Sequence, residues 1–429
     1  MLIEVFVLLL ALIALGVPIL LVMGIVGFAG IVLTPELVPA LFPQKIFAML
    51  DNFSLLALPY FILAGELISA GGISTRLVKF SETLVNHWRS GLGHASVVSC
   101  MIFAGVSGSS VADTSAIGSI ILPAMKEQGY KPGFAAALLA CAGTIGAIIP
   151  PSMTMIVYGS MANVSIGSLF LGGIIPGIMV GIGLMIVIYI YSRFPAYPEL
   201  RRTSGTFAFG KVMRAALSVW TALLAPILVL GGILTGAFTA TEAGAVACFY
   251  GFFVGFFIYR VLKLRDLPKI FIRAAITTAM VSGILGMAGG FGWLLSFLNF
   301  NDIALSGITY IAGGKISAML LLLGTMLLLT MFVDTLAILI VFIPVAVVIG
   351  RNFSIDEFQL GILMVMATQI GATTPPLAAL LFVATSMVGC KYSETIRYCW
   401  GFIVAEVTVL LLVVFWADLA SWIPHYFLG

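Results

Sequence analysis

Long apolar runs recur along this sequence from one end to the other, and they restrict its fold more than any other feature. Runs of roughly 18 or more apolar residues, enough for a helix to cross a bilayer, fall near 53–70, 133–160, 165–192, 216–235, 241–262, 277–298, 357–388 and 398–418. A soluble chain could not coat its surface from such a sequence: of 429 residues 62% are hydrophobic and 9% are charged, against roughly 25% charged in an average soluble domain. Lipid must therefore be the solvent, and the chain reads as an all-α polytopic membrane protein. The stretch 2–40 is long enough for two short spans broken near Gly16-Val17-Pro18 or for one long kinked helix, and two is preferred because the repeat described below asks for it. It is apolar from Leu2 and carries Glu4 where a secretory signal has basic residues, so it reads as a retained span.

Charge and cysteine usage remove other classes. A net charge of +3 gives a nucleic-acid partner no electrostatic basis. Cys100, Cys141, Cys248, Cys390 and Cys399 lack metal or redox spacing and read as small core residues. His87, His94 and His425 are scattered, which leaves no histidine-based metal site.

Two further apolar stretches, 94–126 and 316–350, are each interrupted by a polar cluster. Their arms mostly fall short of the roughly 20 residues of a crossing, so each reads as a re-entrant helical hairpin whose tip is surrounded by protein or a watery cavity. Basic residues set the orientation. Arg193, Arg201, Arg202, Lys211 and Arg214 occupy one loop, and Arg260, Lys263, Arg265, Lys269 and Arg273 another. The positive-inside rule places both in the cytoplasm. Arg76, Lys79 and Arg89, in an interfacial helix near 74–90, then fall inside with Lys126 and Lys131, while Asp302, Lys315 and Arg351 fall outside.

An internal repeat follows. Asp113-Thr114 precedes Pro123 as Asp334-Thr335 precedes Pro344, and the Ala142–Pro151 segment matches Ala367–Pro376. Lys45-Ile46-Phe47 is echoed by Lys269-Ile270-Phe271, so the three offsets are 221, 225 and 224 residues. The halves divide as 1–200 (hairpin 94–126, broken helix 133–160) and 201–429 (hairpin 316–350, broken helix 357–388). An odd number of spans separates the hairpins, which makes this an inverted-topology repeat, with substrate and ions expected where the broken helices meet at the midplane.

The first tip runs Gly105-Val106-Ser107-Gly108-Ser109-Ser110-Val111-Ala112-Asp113-Thr114. Its glycines permit chain reversal, and its serines and freed carbonyls supply the oxygens a hard cation such as sodium prefers. Asp113 is expected at the N-cap of the second arm. A carboxylate at membrane depth costs about 2.5–3.5 kcal/mol, more than Ser or Asn would for capping alone, which argues for a role beyond it. The second tip, Met331-Phe332-Val333-Asp334-Thr335, has an acid but no Gly-Ser run. Gly143–Gly146 before Pro150-Pro151, and Gly371–Thr374 before Pro375-Pro376, lie inside apolar spans. Paired prolines there should break the helix. The break frees carbonyls that suit a cation and amides that suit a carboxylate; the plainer alternative is a proline kink. Glu66 reads either as functional or as wet at the interface, and Glu242 and Glu406 as structural.

The doubled hairpin-plus-Pro-Pro pattern, with its Gly-Val-Ser-Gly-Ser-Ser tip, resembles the large membrane subunit of TRAP transporters, within the superfamily of divalent anion/sodium symporters. The resemblance covers essentially the whole chain and implies an elevator mechanism, in which a transport domain slides against a scaffold in the bacterial inner membrane. It implies Na+ as coupling ion with no other cofactor, a small four-helix membrane subunit, and a periplasmic substrate-binding protein that delivers a small organic acid. By position, one sodium site would use Ser107, Gly108, Ser109 and Ser110 with Gly143 and Gly146. A second would use Asp334 and Thr335 with Gly371, Thr373 and Thr374. The substrate carboxylate would lie between them, against Ser109, Ser110, Asp113, Thr114, Pro150, Pro151, Thr374 and Pro375. Sialic acid is the favoured cargo and a C4-dicarboxylate the next, a preference no single residue carries.

Two rivals remain at this level. A stand-alone sodium symporter or antiporter of the same superfamily would share the repeat. An intramembrane aspartyl protease would need Asp113 and Asp334 as a dyad, but their Ala-Asp-Thr and Val-Asp-Thr contexts do not suit it. The chain is therefore read as no enzyme. Replacing Pro150 and Pro151 together by alanine is expected to restore a continuous helix and abolish uptake, measured with labelled substrate in proteoliposomes.

Overall fold

The computed structural model describes residues 1–201 and 208–428, so Arg202 of the first basic loop lies outside the described residues. The described residues form α-helices joined by short 3-10 turns, with one π-helical stretch at Val254–Ile258. The first half contains α1 (Leu2–Ala14), α2 (Ile19–Val32), α3 (Leu41–Leu50), α4 (Ala57–Ala70), α5 (Ile73–Val85), α6 (Gly91–Ser107), α7 (Ser110–Glu127), α8 (Pro132–Thr144), α9 (Met153–Ala162) and α10 (Ile166–Tyr191). The second contains α11 (Phe209–Ser218), α12 (Trp220–Leu234), α13 (Ala240–Phe253), α14 (Leu267–Phe297), α15 (Phe300–Ile311), α16 (Lys315–Thr330), α17 (Thr335–Asn352), α18 (Glu357–Thr373), α19 (Ala379–Val388), α20 (Tyr392–Phe415) and α21 (Asp418–Leu428). Among the described residues, six helical stretches are long and apolar enough to cross a membrane, or eight if two bent pairs each count as one span. Bulky apolar side chains such as Leu10, Phe249, Phe253 and Met280 stand exposed, the surface that a lipid solvent tolerates.

Local chemistry accounts for most boundaries. α1 stops where Gly16 turns left-handed (φ +75°), and Pro18 supplies the N-cap of α2, so 2–40 does hold two short helices. α8 runs through a 3-10 turn at Ile145–Ala147 and stops before Pro150-Pro151; α18 stops before Pro375-Pro376. Both helices are broken, and both Pro-Pro bonds are cis.

Three details differ from the sequence reading. α14 begins ten residues before the expected 277. Lys269 and Arg273 interrupt the apolar run yet stand exposed on the helix, where their long stems reach water without ending it. Asp302 sits on a separate helix, α15, rather than at the base of a hairpin. α17 is 18 residues long and apolar enough to cross by itself, so the second hairpin has one full-length arm.

Helices from the two halves interlace. α14 packs along α2, α3 and α4, with α13 against α4. Elsewhere α8 lies against α19 and α20, and α18 against α16, α17 and α20. The second arm of each hairpin crosses to the short helix beyond the other half's break, α7 to α19 and α17 to α9. α10 closes on the first break at Gly173, where any Cβ would collide with the Ile148 carbonyl oxygen and lie 2.5 Å from Met155 Cε. A backbone oxygen cannot swing aside as a side chain can. Gly173→Val is therefore expected to destabilise the chain by about 1–3 kcal/mol, seen as a lower thermal unfolding midpoint of the purified protein.

Candidate functional site

Each hairpin tip meets its own half's broken helix through a backbone hydrogen bond. Met153 N–H donates to the Gly108 carbonyl at 3.2 Å, and Leu377 N–H donates to the Met331 carbonyl at 3.3 Å. Such pairing lets non-helical backbone persist away from water. Gly108, at φ +68°, turns the first tip and brings it against the Pro151 carbonyl, leaving no room for a Cβ.

The first tip carries the charge. Asp113 is completely buried; Ser107 Oγ donates to its Oδ1, while its Oδ2 has no hydrogen-bond partner. Gly146, in the break of α8, faces this carboxylate so closely that a methyl group there would collide with Oδ2. One turn earlier, Gly143 stands against Thr114, whose hydroxyl donates to the Ser110 carbonyl at 2.8 Å. Ser110 Oγ donates to Gln369 Oε1 on α18 and so ties the first tip to the opposite half. An ionised carboxylate held in protein at this depth calls for a compensating positive charge. Here one of its oxygens is free to accept it.

The second tip is built on the same plan with different chemistry. Gly371, 225 residues after Gly146, faces the Thr330 hydroxyl of α16 as Gly146 faces Asp113. Asp334 is exposed and caps α17, its Oδ1 accepting from Leu336 N–H (3.0 Å) and Ala337 N–H (3.3 Å). α7 begins at Ser110 and α17 at Thr335, 225 residues apart, so the counterpart of Asp334 is Ser109. Ser109 is the N-cap of α7, its Oγ accepting from Ala112 N–H, and Asp113 lies inside the helix. The expectation that Asp113 caps its arm and matches Asp334 is thereby corrected: the two Asp-Thr pairs are one helical turn out of register. A proton-sharing dyad would need both carboxylates in one hydrogen bond, but Asp113 is bonded to Ser107 and Asp334 to backbone amides.

Between the tips lies a cavity of about 510 Å³, within the roughly 300–1,000 Å³ common for small-molecule sites. Gly108, Ser109, Ser110, Asp334 and Thr335 line it; Ser107, Asp113, Thr114, Gly143, Gly146, Pro150, Pro151, Gly371, Thr373, Thr374 and Pro375 do not. The first turns of α7, α9, α17 and α19 all open onto it, through Ser110, Met153, Thr335 and Ala379. No lysine or arginine lines it among the described residues. Sequence reasoning passed over Gln369, which lines the cavity and takes the Ser110 bond, and Thr330 and Thr154 beside it. Gln369 stands 225 residues after Thr144, a polar residue at both repeat positions, and that coincidence is the signal that could have found it.

Fold and site together define a polytopic helical membrane protein built around paired hairpins and broken helices. Residues 6–419 match the family described as tripartite ATP-independent periplasmic transporter, DctM component. The C4-dicarboxylate TRAP transporter large permease protein of Pseudomonas aeruginosa is 34% identical over 405 residues, 94% of either chain. The sialic acid TRAP transporter large permease protein of Vibrio cholerae is 31% identical over 414 residues, 96% of either chain. In fold alone, the chain is similar to MtrF of Neisseria gonorrhoeae, described within a class of antimetabolite efflux pumps (TM-score 0.50, 12% identity, 88% of this chain and 84% of that one). The chain belongs to the family of TRAP transporter large permeases.

Gly146→Ala is expected to drive a methyl group into the Asp113 carboxylate. Uptake should fall about tenfold or more, the order expected when a functional group is misplaced by about an ångström, while the protein still purifies as a single species. Near-normal uptake would mean that this contact is dispensable.

Proposed function

We propose that this chain is the transport subunit of a sodium-coupled importer for a small organic acid in the bacterial inner membrane. The observation that carries the reading is the buried Asp113 carboxylate, with one oxygen unpartnered beside the bare Gly146 of a broken helix. A first sodium ion would be held there by Asp113, Ser107 and carbonyls of the tip and of Gly143–Gly146. A second would lie at Gly371, Thr373 and Thr374, with Asp334 and Thr335 nearby. Hydroxyl and carbonyl oxygens at helix C-termini suit a hard cation. The cavity offers helix N-termini in place of lysine or arginine, and these suit a carboxylate.

The protein would work with a small four-helix membrane subunit and a periplasmic binding protein that hands over the substrate; the family's tripartite description supports this assembly. Residues 1–200 and 201–429 would be inverted repeats, with the basic loops in the cytoplasm. Their hairpins and broken helices would move as a transport domain against a scaffold of α1–α4 and α12–α14, exposing the cavity alternately to each side. The cargo is proposed as sialic acid first and a C4-dicarboxylate next. Relatives named for each are similar at 31% and 34% identity, so identity does not choose between them.

Labelled-acid uptake into proteoliposomes holding the chain and its small partner tests this, with binding protein and inward sodium gradient separately removable. Uptake requiring both is the expected result. Uptake that needs sodium but no binding protein would move the chain to the stand-alone symporters. In the same assay, Ser107→Ala, which removes the hydroxyl bonded to Asp113, should weaken the sodium dependence without loss of assembly, and an unchanged sodium response would remove the first site.

A further inference from the structure

Beyond Arg397, α20 carries one ionisable acid in an otherwise apolar course, Glu406. It is completely buried, and no ion pair of its carboxylate occurs among the described residues. Oε1 accepts from the Thr144 hydroxyl at 2.7 Å, and Oε2 accepts from the Thr373 hydroxyl at 3.3 Å. Thr144 is the last residue of α8, and Thr373 is the last residue of α18. One side chain thus touches the ends of both broken helices, immediately before both breaks and from opposite halves of the chain. Each threonine also lies within reach of a carbonyl in its own last turn, Thr144 of Cys141 at 2.6 Å and Thr373 of Ile370 at 2.9 Å. Glu406 is therefore joined to the terminal turn of each helix, whose last carbonyls accept from cap N–H groups and from threonine hydroxyls.

Packing alone does not call for this arrangement. An apolar residue of similar size would fill the same space in α20 without placing a carboxyl group in the membrane interior. A link between the helix ends does call for it, because each of its two oxygens accepts from a hydroxyl on a different helix.

We propose that Glu406 is a positioning residue that couples the two cation sites, an inference that rests on the sodium-coupled reading given above. It holds the end of α8, beside Gly143 and Gly146, to the end of α18, beside Gly371 and Thr374. When a cation orders one break, Glu406 transmits that order to the other, and the second cation binds a break already held. Coupling of this kind is reciprocal, whichever site fills first.

Glutamine can keep the link: its carbonyl oxygen accepts from Thr144, and its amide N–H donates to the Thr373 oxygen, which donates on to Ile370. Alanine cannot. The test is hydrogen exchange by mass spectrometry across a sodium titration, on the full chain with its small membrane partner in lipid nanodiscs. Segments 141–149 and 369–377 are followed in wild type, Glu406→Gln, Glu406→Ala and Thr144→Val. In wild type both segments should become protected together, with a Hill coefficient above 1. Glu406→Ala should raise the half-saturating sodium concentration about tenfold, within the roughly 5–150-fold usual for coupled sites, and the two segments should titrate separately. Glu406→Gln should stay within about twofold of wild type. Thr144→Val removes one arm only, the hydroxyl that Glu406 Oε1 accepts from, and should uncouple the segments even if Glu406→Ala fails to fold. Joint titration in the alanine or valine variant overturns the proposal, and so does a glutamine variant as impaired as alanine. If wild type shows no sodium protection at either segment, the sodium reading fails instead. The link is then judged without sodium: faster exchange in both segments for alanine but not glutamine supports it, and unchanged exchange overturns it.

Discussion

Backbone that leaves a helix inside a membrane has no water to turn to, and the rest of this structure depends on how that debt is settled. The breaks after Thr144 and Thr373 are met by hairpin tips that offer carbonyls to Met153 and Leu377. Because each break leans on a tip, neither hairpin is free to sit elsewhere. Because α7 and α17 cross to α19 and α9, neither half is complete without the other. Glycines at 143, 146 and 371 make the contact close enough for side-chain oxygens of the hairpins to reach the bared turns.

Within that shared plan the two halves have diverged where chemistry is needed. The position opposite Gly146 is a buried carboxylate, and the position opposite Gly371 is a neutral hydroxyl. The acid of the first half is buried against the break, while the acid of the second half serves its helix as a cap. Ser110 to Gln369, and Glu406 to both helix ends, bridge the divergent halves with polar contacts rather than apolar packing alone. Buried polar groups of this kind are costly when unmet and rigid when satisfied.

The cavity between the tips has a different character from a site built on basic side chains. Helix N-termini stand where lysine or arginine would in such a site, and among the described residues Asp334 is the one acid that lines it.

Sequence by itself determined the class and much of the layout. Apolar length required lipid as solvent, the polar interruptions located both hairpins, and Pro150-Pro151 and Pro375-Pro376 located both breaks, because proline acts on its own chain whatever surrounds it. It also selected Ser107, Asp113, Gly143 and Gly146, since glycine runs and an acid at membrane depth are costly in any fold. Register and partnership had to wait for tertiary structure. The two Asp-Thr pairs look equivalent as letters, yet helix starts place them a turn apart. Gln369, Thr330 and Glu406 look like ordinary polar residues on apolar helices until packing sets them against Ser110, Gly371, Thr144 and Thr373. A local signal arises from bonds within one segment and can be read there; a contact between residues more than 250 positions apart, as between Thr144 and Glu406, exists only once the halves have interlaced.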